Sequence, residues 1–302
     1  MIVVVCPGQG SQTPGMLSPW LEDSAIAALA AELSEAAGLD IVHHGTESDA
    51  DTIRDTAIAQ PLIVASSLLS LAALRARGAQ LAAIAGHSVG EFAAAAGSGI
   101  LSERDAVALV GLRGRAMASA AAITPTGMSA VVGGEQDVVV ARLDALSLSP
   151  ANYNGGGQIV AAGELDALAA LKAEPPAGAR VIPLQVAGAF HTRYMEPAVA
   201  EVDALASSLQ ARDPSIRIWT NRDGSTVTSG ADYLKLLVGQ IASPVRWDLC
   251  MASMSEAGVT GIIELAPAGA LVGLAKRGLP GVPAVAIKTP NDLDAALELL
   301  NA

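Results

Sequence analysis

The sequence predicts an α/β protein with a mostly parallel sheet, into which a small ferredoxin-like subdomain is inserted. Short apolar runs alternate with longer stretches rich in Ala and Leu, a pattern typical of the strands and helices of an α/β domain. Between residues 125 and 189 the pattern becomes strand, helix, strand, strand, helix, strand, which is the ferredoxin-like order. The 302 residues suffice for one large domain with a smaller one inserted.

The chain before the insert contains two strand signals, each followed by helical sequence. The run IVVVC is continuously apolar, as a buried strand requires, and it ends in the Gly-rich turn PGQGSQTPG. Ser102 followed three residues later by Asp105 is typical of a helix N-terminus. The predicted elements are, in order, a strand over 2–6, helices over 24–37 and 61–77, a strand over 81–86, and helices over 89–97 and 102–122.

The remaining pattern predicts a division into a ferredoxin-like subdomain over 125–189 and an α/β catalytic subdomain over 1–124 and 190–302. The elements predicted for the insert are a strand over 127–134, a helix over 135–146, a hairpin over 151–163, a helix over 164–173 and a strand over 179–186. Those predicted after it are a helix over 197–210, a strand over 216–219, helices over 231–240 and 247–257, a strand over 260–265 and a helix over 269–277.

Composition and charge exclude several classes of function. A net charge of −12 leaves no basic stripe to neutralise phosphates, so we expect no nucleic-acid partner. Cys6 and Cys250 have neither the number of a disulfide framework nor the spacing of metal ligands, so we expect no metal. The N-terminus lacks a signal-peptide pattern, and the longest apolar run, AQPLIVASSLLSLAAL, is too short and too broken by Gln60 and Pro61 to span a bilayer. We therefore expect a soluble, cytoplasmic protein.

The segment AIAGHSVGEF carries the clearest chemical signal. It places Ser88 between a predicted strand and a predicted helix, with Gly86 and Gly90 two residues to either side. Such a turn strains the backbone at the serine and admits only small residues at the glycine positions. The hydroxyl also lies at a helix N-terminus, which favours developing negative charge. We interpret Ser88 as a nucleophile in preference to a chance GxSxG in a glycine-rich chain.

The candidate base is found by elimination among four histidines. We expect His43 and His44 to lie solvated in a polar loop, and His87 to point away from its neighbour Ser88. His191 follows a predicted strand and is the best candidate to accept the serine proton. No carboxylate between Ser88 and His191 stands where a hydrolase triad needs one, so a carbonyl oxygen is a possible partner of the histidine.

An ordered set of motifs resembles the malonyl-CoA:acyl carrier protein transacylase family over nearly the whole chain. The motifs are PGQGSQ (7–12), AQP (59–61), GHSVGE (86–91), RG (113–114), NYNGGGQIVAAG (152–163), GAFHT (188–192), NRDG (221–224), SPVRW (243–247) and LAPAGALVGLAKR (265–277). The resemblance implies a hydrolase-like α/β core with a ferredoxin-like insert. It implies malonyl-CoA as substrate, acyl carrier protein as partner, a fatty-acid-synthesis role and no tightly bound cofactor.

Carried over residue by residue, the resemblance implies Ser88 as nucleophile and His191 as base. The backbone N–H groups of Gln9 and Val89 would form the oxyanion hole. The backbone carbonyl of Gln240 would hold the histidine, although Ser243 replaces the Asn that the family has in its NPV motif. Further substrate-binding residues implied by the resemblance are Gln60, Asn154 and Phe190. A Phe immediately before the catalytic His accompanies malonyl selectivity in the family, where a Ser accompanies methylmalonyl.

Arg113 lies in the apolar stretch AVALVGLRGRAMA, where a charge is costly without an anionic partner. Its planar fork suits a carboxylate, and a malonyl group offers one beyond its thioester. From the residues alone, an internal ion pair between Arg113 and Glu91 or another acid explains the buried arginine about as well as a substrate carboxylate does. The resemblance favours the substrate.

Alternatives remain for the activity as a whole. A serine esterase or thioesterase is expected to have a triad acid and an apolar pocket without a buried arginine. A non-catalytic docking subunit would have no use for the nucleophile, the base and the oxyanion turn, all of which are present. The residues barely distinguish an acyltransferase of fatty acid synthesis from one that serves polyketide synthesis or malonate decarboxylation. For docking an acidic carrier protein, a local basic patch is required because this chain is itself acidic. The basic residues nearest the site in sequence, here called the docking set, are Arg193, Lys276 and Arg277; helix C-terminal charges are the alternative interpretation of the last two.

Overall fold

The computed structural model describes residues 1–302 and contains ten strands and twelve α-helices. The strands are β1 (Ile2–Cys6), β2 (Ala83–Gly86), β3 (Thr126–Gly133), β4 (Ser149–Gly155), β5 (Gln158–Glu164), β6 (Ala179–Pro183), β7 (Arg217–Ile218), β8 (Val245–Arg246), β9 (Gly261–Glu264) and β10 (Ala284–Ala286). The helices are α1 (Ser24–Ala37), α2 (Ile41–Thr46), α3 (Thr56–Ala76), α4 (Gly90–Gly97), α5 (Glu103–Ala121), α6 (Gln136–Ala145), α7 (Leu165–Ala173), α8 (Glu196–Ala206), α9 (Gly230–Gly239), α10 (Trp247–Glu256), α11 (Ala270–Gly278) and α12 (Leu293–Leu300).

The main sheet is entirely parallel and has the order β10-β9-β1-β2-β7. Its apolar residues alternate between two cores: Val4 packs with α3, α4 and α5 on one face, whereas Val3 and Val5 pack with α10 and α11 on the other. Both faces are therefore covered, which explains why β1 is continuously apolar. The predicted α/β architecture with a parallel sheet is confirmed.

A second sheet has the order β6-β3-β5-β4-β8. Its first four strands pair antiparallel and come from the segment 126–183, with α6 and α7 packed beside them over a small core of their own. The fifth strand, β8, pairs parallel with β4 although it comes from the later part of the chain. This pairing attaches the later part of the chain to the second sheet.

Several sequence predictions are wrong in detail. The segment 41–46, predicted as a loop, is helix α2, and the helix predicted from 61 begins at Thr56, because Asp55 caps it and Pro61 is accommodated within it. No element was predicted after 277, where β10 and α12 lie, and the two-residue strand β8 was also missed. Helix α3 is in fact long and apolar enough to cross a membrane by length and composition, but it is mostly buried in the fold, as a core helix is.

Candidate active site

Ser88 lies at the sharp turn between β2 and α4, with a left-handed φ of 53°. A side chain on Gly86 would collide with the backbone of Gly90, and one on Gly90 would collide with the Cys6 carbonyl oxygen. The serine is thus the residue left to carry the strain, as the GxSxG pattern predicts. Its backbone N–H donates to Asn221 Oδ1 at 2.7 Å.

The serine hydroxyl and His191 are in direct contact. Ser88 Oγ lies 2.7 Å from His191 Nε2, and His191 Nδ1 lies 2.9 Å from the Gln240 carbonyl oxygen. A carbonyl oxygen can only accept, so Nδ1 carries the proton and Nε2 has the free lone pair that faces the hydroxyl. A main-chain carbonyl therefore occupies the place that a carboxylate has in a hydrolase triad.

The imidazole of His191 is neutral at ordinary pH. Burial and the nearby Arg113 charge lower its pKa from 6.5 to about 3, against a smaller opposing effect of the Gln240 carbonyl. A neutral imidazole next to an uncharged hydroxyl can accept the serine proton at the moment of attack. His191 also has a left-handed φ of 61°, so both candidate catalytic residues have strained backbones.

Two backbone N–H groups next to Ser88 have no protein acceptor, those of Gln9 and Val89. The turn that contains Gln9 packs against the elbow so closely that a side chain on Gly8 would lie 2.8 Å from His87 Nδ1. Val89 is the N-cap of α4, where the helix dipole adds to the donor. These are the two groups that the sequence resemblance implies for an oxyanion hole, and both residues line the cavity in front of the serine.

The cavity in front of Ser88 has a volume of about 410 Å³ and opens between the two sheets. Eight of the nine predicted site residues line it, and Gln240 lies behind them. The eight are Gln9, Gln60, Ser88, Val89, Arg113, Asn154, Phe190 and His191.

Arg113 is 1% exposed and has no carboxylate partner. It donates from Nη1 to Gln60 Oε1 at 2.6 Å and from Nη2 to Gln240 Oε1 at 2.9 Å, whereas Nε has no partner. Burial lowers its pKa to about 10, so the guanidinium stays charged at neutral pH. The ion pair with Glu91 that the sequence allowed is not formed, and the guanidinium charge remains available to the cavity.

Asn154 is committed to protein contacts. Its Oδ1 lies 2.8 Å from His87 Nε2, and its Nδ2 donates to Gln158 Oε1 at 2.9 Å. His87 in turn packs edge-on against Trp247, with ring centroids 5.6 Å apart, and makes no hydrogen bond to Ser88. Asn154 therefore fixes His87 at the cavity wall, and any contact with a substrate would come in addition to that role.

Sequence reasoning missed that Asn221 and Glu91 hold the elbow from behind, although it considered Glu91 as an ion-pair partner of Arg113. Asn221 Nδ2 donates to the Gly86 carbonyl at 2.7 Å, so its amide ties together the residues on both sides of the turn. The Asn221 N–H donates to Glu91 Oε1 at 2.7 Å. Both residues fall inside quoted motifs, NRDG and GHSVGE, but nothing in the motifs indicates that they meet.

All three residues of the docking set are exposed. Arg277 also lines the cavity and packs against Gly156 in the β4–β5 turn, where an added side chain would meet its Cβ at 2.6 Å. The Arg193 guanidinium stacks on the neighbouring ring of Tyr194, with its central carbon 4.7 Å from the ring centroid.

Comparison with known proteins shows the family to which the chain belongs. Residues 3–289 match the acyl transferase domain family. The chain belongs to that family. It is 52% identical over 303 residues to the malonyl CoA-acyl carrier protein transacylase of Mycobacterium tuberculosis, covering 99% of this chain and 100% of the relative. The crystal structure of MCAT from the same organism superposes with a TM-score of 0.95, covering 98% of this chain and 99% of that one.

A malonyl-transacylase solved in complex with a type II PKS acyl-carrier protein is also similar, with 29% identity and a TM-score of 0.91 over 99% of both chains. These acyl transferase relatives confirm the resemblance found in the sequence.

Proposed function

We propose that this acyl transferase moves a malonyl group from malonyl-CoA to the phosphopantetheine thiol of acyl carrier protein, for fatty acid biosynthesis. The observation that carries the proposal is a charged, carboxylate-free Arg113 in the same cavity as the Ser88–His191 pair. A malonyl carboxylate is the one feature of this donor that a buried guanidinium can recognise.

The reaction proceeds in two half-reactions of the ping-pong type. Ser88 Oγ attacks the thioester carbon while His191 Nε2 takes the hydroxyl proton, and the oxyanion is held by the N–H groups of Gln9 and Val89. The C–S bond then breaks, and CoA leaves with the proton from His191. In the second half-reaction the carrier thiol gives its proton to His191 and attacks the carbonyl carbon of the malonyl ester. The C–O bond to Ser88 then breaks, and His191 returns the proton to Ser88 Oγ.

Several features support a transferase over a serine esterase or thioesterase. The partner of His191 is the Gln240 carbonyl and not the carboxylate of a hydrolase triad. The cavity also contains a buried cation that an ester of a neutral acid would leave without a partner. Phe190, 6% exposed at the cavity wall, would close the pocket over the α-carbon and favour malonyl over branched acyl groups.

A second carrier protein deserves consideration because one similar structure is a malonyl-transacylase bound to a type II PKS acyl-carrier protein. Transfer to a polyketide carrier would use the same Ser88, His191 and Arg113 chemistry. The two functions differ only at the surface that meets the carrier, so side-by-side transfer rates to the two carriers distinguish them.

The finer description of the fold belongs to the same proposal. The strand order β6-β3-β5-β4 and the two helices beside it support a ferredoxin-like subdomain over 125–189, and the elbow after β2 supports a hydrolase-like core over 1–124 and 190–302. The cytoplasmic location, the absence of a nucleic-acid partner and the absence of a tightly bound cofactor remain predictions from the sequence.

Intact-mass measurement after brief mixing with malonyl-CoA tests the proposal. The native chain should gain one malonyl mass, and Ser88→Ala should gain none. Adding carrier protein should move that mass to the carrier. A stable adduct on Ser88→Ala would remove Ser88 as nucleophile, and an adduct released only to water would favour a hydrolase. His191→Ala should slow both half-reactions by ~10²- to 10⁴-fold, because one base serves both.

A further inference from the structure

One amide side chain separates Arg113 from the nearest buried carboxylate. Arg113 Nη2 donates to Gln240 Oε1 at 2.9 Å, and Gln240 Nε2 donates to the carboxylate of Glu91. Glu91 is 1% exposed, and it forms no ion pair with Arg113 within 4.0 Å. The Arg113 guanidinium and the Glu91 carboxyl group therefore face each other through Gln240.

Glu91 and the Ser88 carbonyl together determine which way the Gln240 amide points. Each polar group in contact with the Glu91 carboxylate can donate: the Asn221 N–H at 2.7 Å, the Tyr233 hydroxyl at 3.4 Å and the Gln240 NH2 group. Burial raises the pKa of the Glu91 carboxyl group to about 8, although the hydrogen bonds from Asn221 and Gln240 oppose that rise. One oxygen of this group accepts from the Asn221 N–H and the other from the Gln240 NH2, so the Gln240 oxygen faces Arg113. The same NH2 donates to the Ser88 carbonyl at 3.0 Å, which excludes the flipped amide a second time.

The separation matters for the function of the guanidinium. A direct ion pair would satisfy Arg113 and cancel its charge in the cavity. With Gln240 in between, the Glu91 carboxylate still favours the charged form of Arg113 and raises its pKa against the effect of burial. The guanidinium meanwhile has only neutral oxygens as hydrogen-bond partners and an unpartnered Nε, and its central carbon lies 5.5 Å from the centroid of the Phe92 ring.

We propose that Glu91 is a positioning residue for acyl-donor selection, which acts through the Gln240 amide to keep Arg113 oriented and free for the donor's carboxylate. This inference rests on the proposed malonyl transfer. It concerns the preference for a carboxylated donor, which a purely structural role of Glu91 would leave unchanged.

The test is Glu91→Gln, which keeps the shape of the side chain and replaces one acceptor oxygen by an NH2 group. If the new amide oxygen keeps the Asn221 contact, its NH2 faces the Gln240 NH2. Gln240 must then either move away or turn its NH2 toward Arg113 and its oxygen toward the Ser88 carbonyl, and either change disturbs the oxygen that holds the guanidinium. We expect kcat/KM for malonyl-CoA to fall at least about tenfold more than for acetyl-CoA, mostly through KM, as for one lost charge-assisted hydrogen bond. Tyr233→Phe is the matched control, because it removes another donor to Glu91 and leaves the Gln240 contact in place; its donor ratio should not change.

The swapped variant Glu91→Gln/Gln240→Glu keeps the net charge and the main-chain carbonyl that holds His191. It lets the new amide donate to the new carboxylate, but it pairs that carboxylate directly with Arg113. We expect higher thermal stability than in Glu91→Gln, with the malonyl preference still lost. If Glu91→Gln does not fold, the swapped variant alone decides.

Two results would overturn the inference. One is a donor ratio in folded Glu91→Gln within about twofold of the native value, which is below a significant coupling energy. The other is a swapped variant that regains the malonyl preference. A native enzyme that transfers no malonyl group would instead refute the proposed function, so the two failures are distinguishable.

Discussion

Replacing Arg113 with methionine should change which acyl donor the enzyme prefers. The guanidinium is 1% exposed and faces the cavity that contains Ser88. Methionine fills much of the same space without a charge, so water does not simply replace the guanidinium. A malonyl carboxylate would then be buried without a partner, at a cost of about 3–5 kcal/mol. An acetyl group carries no charge, so its binding does not bury an unpaired carboxylate.

The expected magnitude follows from that cost. At about 1.4 kcal/mol per factor of ten, kcat/KM for malonyl-CoA should fall roughly 10²- to 4 × 10³-fold relative to acetyl-CoA. The variant will also be less stable, since Gln60 and Gln240 each lose a donor to a buried oxygen, at ~1–3 kcal/mol apiece. Both donors are assayed on the same sample, so the ratio of their kcat/KM values does not depend on the folded fraction.

The assay is the initial rate of acyl transfer to carrier protein with each donor, followed by mass spectrometry. Arg115→Met is the matched control: it makes the same substitution two residues away on α5, where the side chain is exposed and donates to the Ala37 carbonyl at 3.1 Å. Its donor ratio should stay at the native value. Equal proportional losses for both donors in Arg113→Met would show that Arg113 is structural and would refute the carboxylate argument.

Three further predictions follow from the site. Because burial and the Arg113 charge lower the pKa of His191 to about 3, the rate of acetyl transfer should not fall as the pH is lowered through 6.5. In Arg113→Met the pKa of His191 should rise, so the acidic fall in rate should move to higher pH; an unmoved pH–rate profile would contradict this. Reversing Arg193 and Lys276, the two members of the docking set that do not line the cavity, to Glu should raise KM for carrier protein at low salt, less at high salt, and leave acylation by malonyl-CoA nearly intact; unchanged carrier kinetics would place docking elsewhere. Asn221→Asp should cost about 1–3 kcal/mol in urea unfolding and slow acylation, because it cannot donate to the Gly86 carbonyl; native stability would refute that role.

The parts of the fold that were predicted from the sequence are those with a long apolar pattern or a strict local requirement for particular residues. β1 is a continuously apolar run because helices cover both faces of the parallel sheet, and the elbow after β2 is visible because glycine alone fits on either side of Ser88. His191 was found by elimination among four histidines. The first two signals each lie within a few neighbouring residues, and the third depends on the small number of histidines in the whole chain.

The parts that sequence missed depend on distant partners or on very short segments. A strand of two residues such as β8 has no periodicity, and it forms only because β4 offers an edge to pair with. Helix α3 begins before Pro61 because tertiary burial along the helix outweighs the local cost of proline. The segment LDAALELL of α12 does consist of good helix formers, so that signal was present and was overlooked.

The choice of glutamine at two positions shows why the site could be predicted only in part. Gln60 and Gln240 provide oxygens that hold the Arg113 guanidinium without cancelling its charge. A glutamate at either position would form a buried ion pair and leave nothing for a substrate carboxylate to bind. The sequence alone indicates the arginine, because a cation in an apolar helix is conspicuous, but neutral amides 53 and 127 residues away carry no such mark. The free state of Arg113, on which the acyl preference depends, is therefore a property of the folded chain.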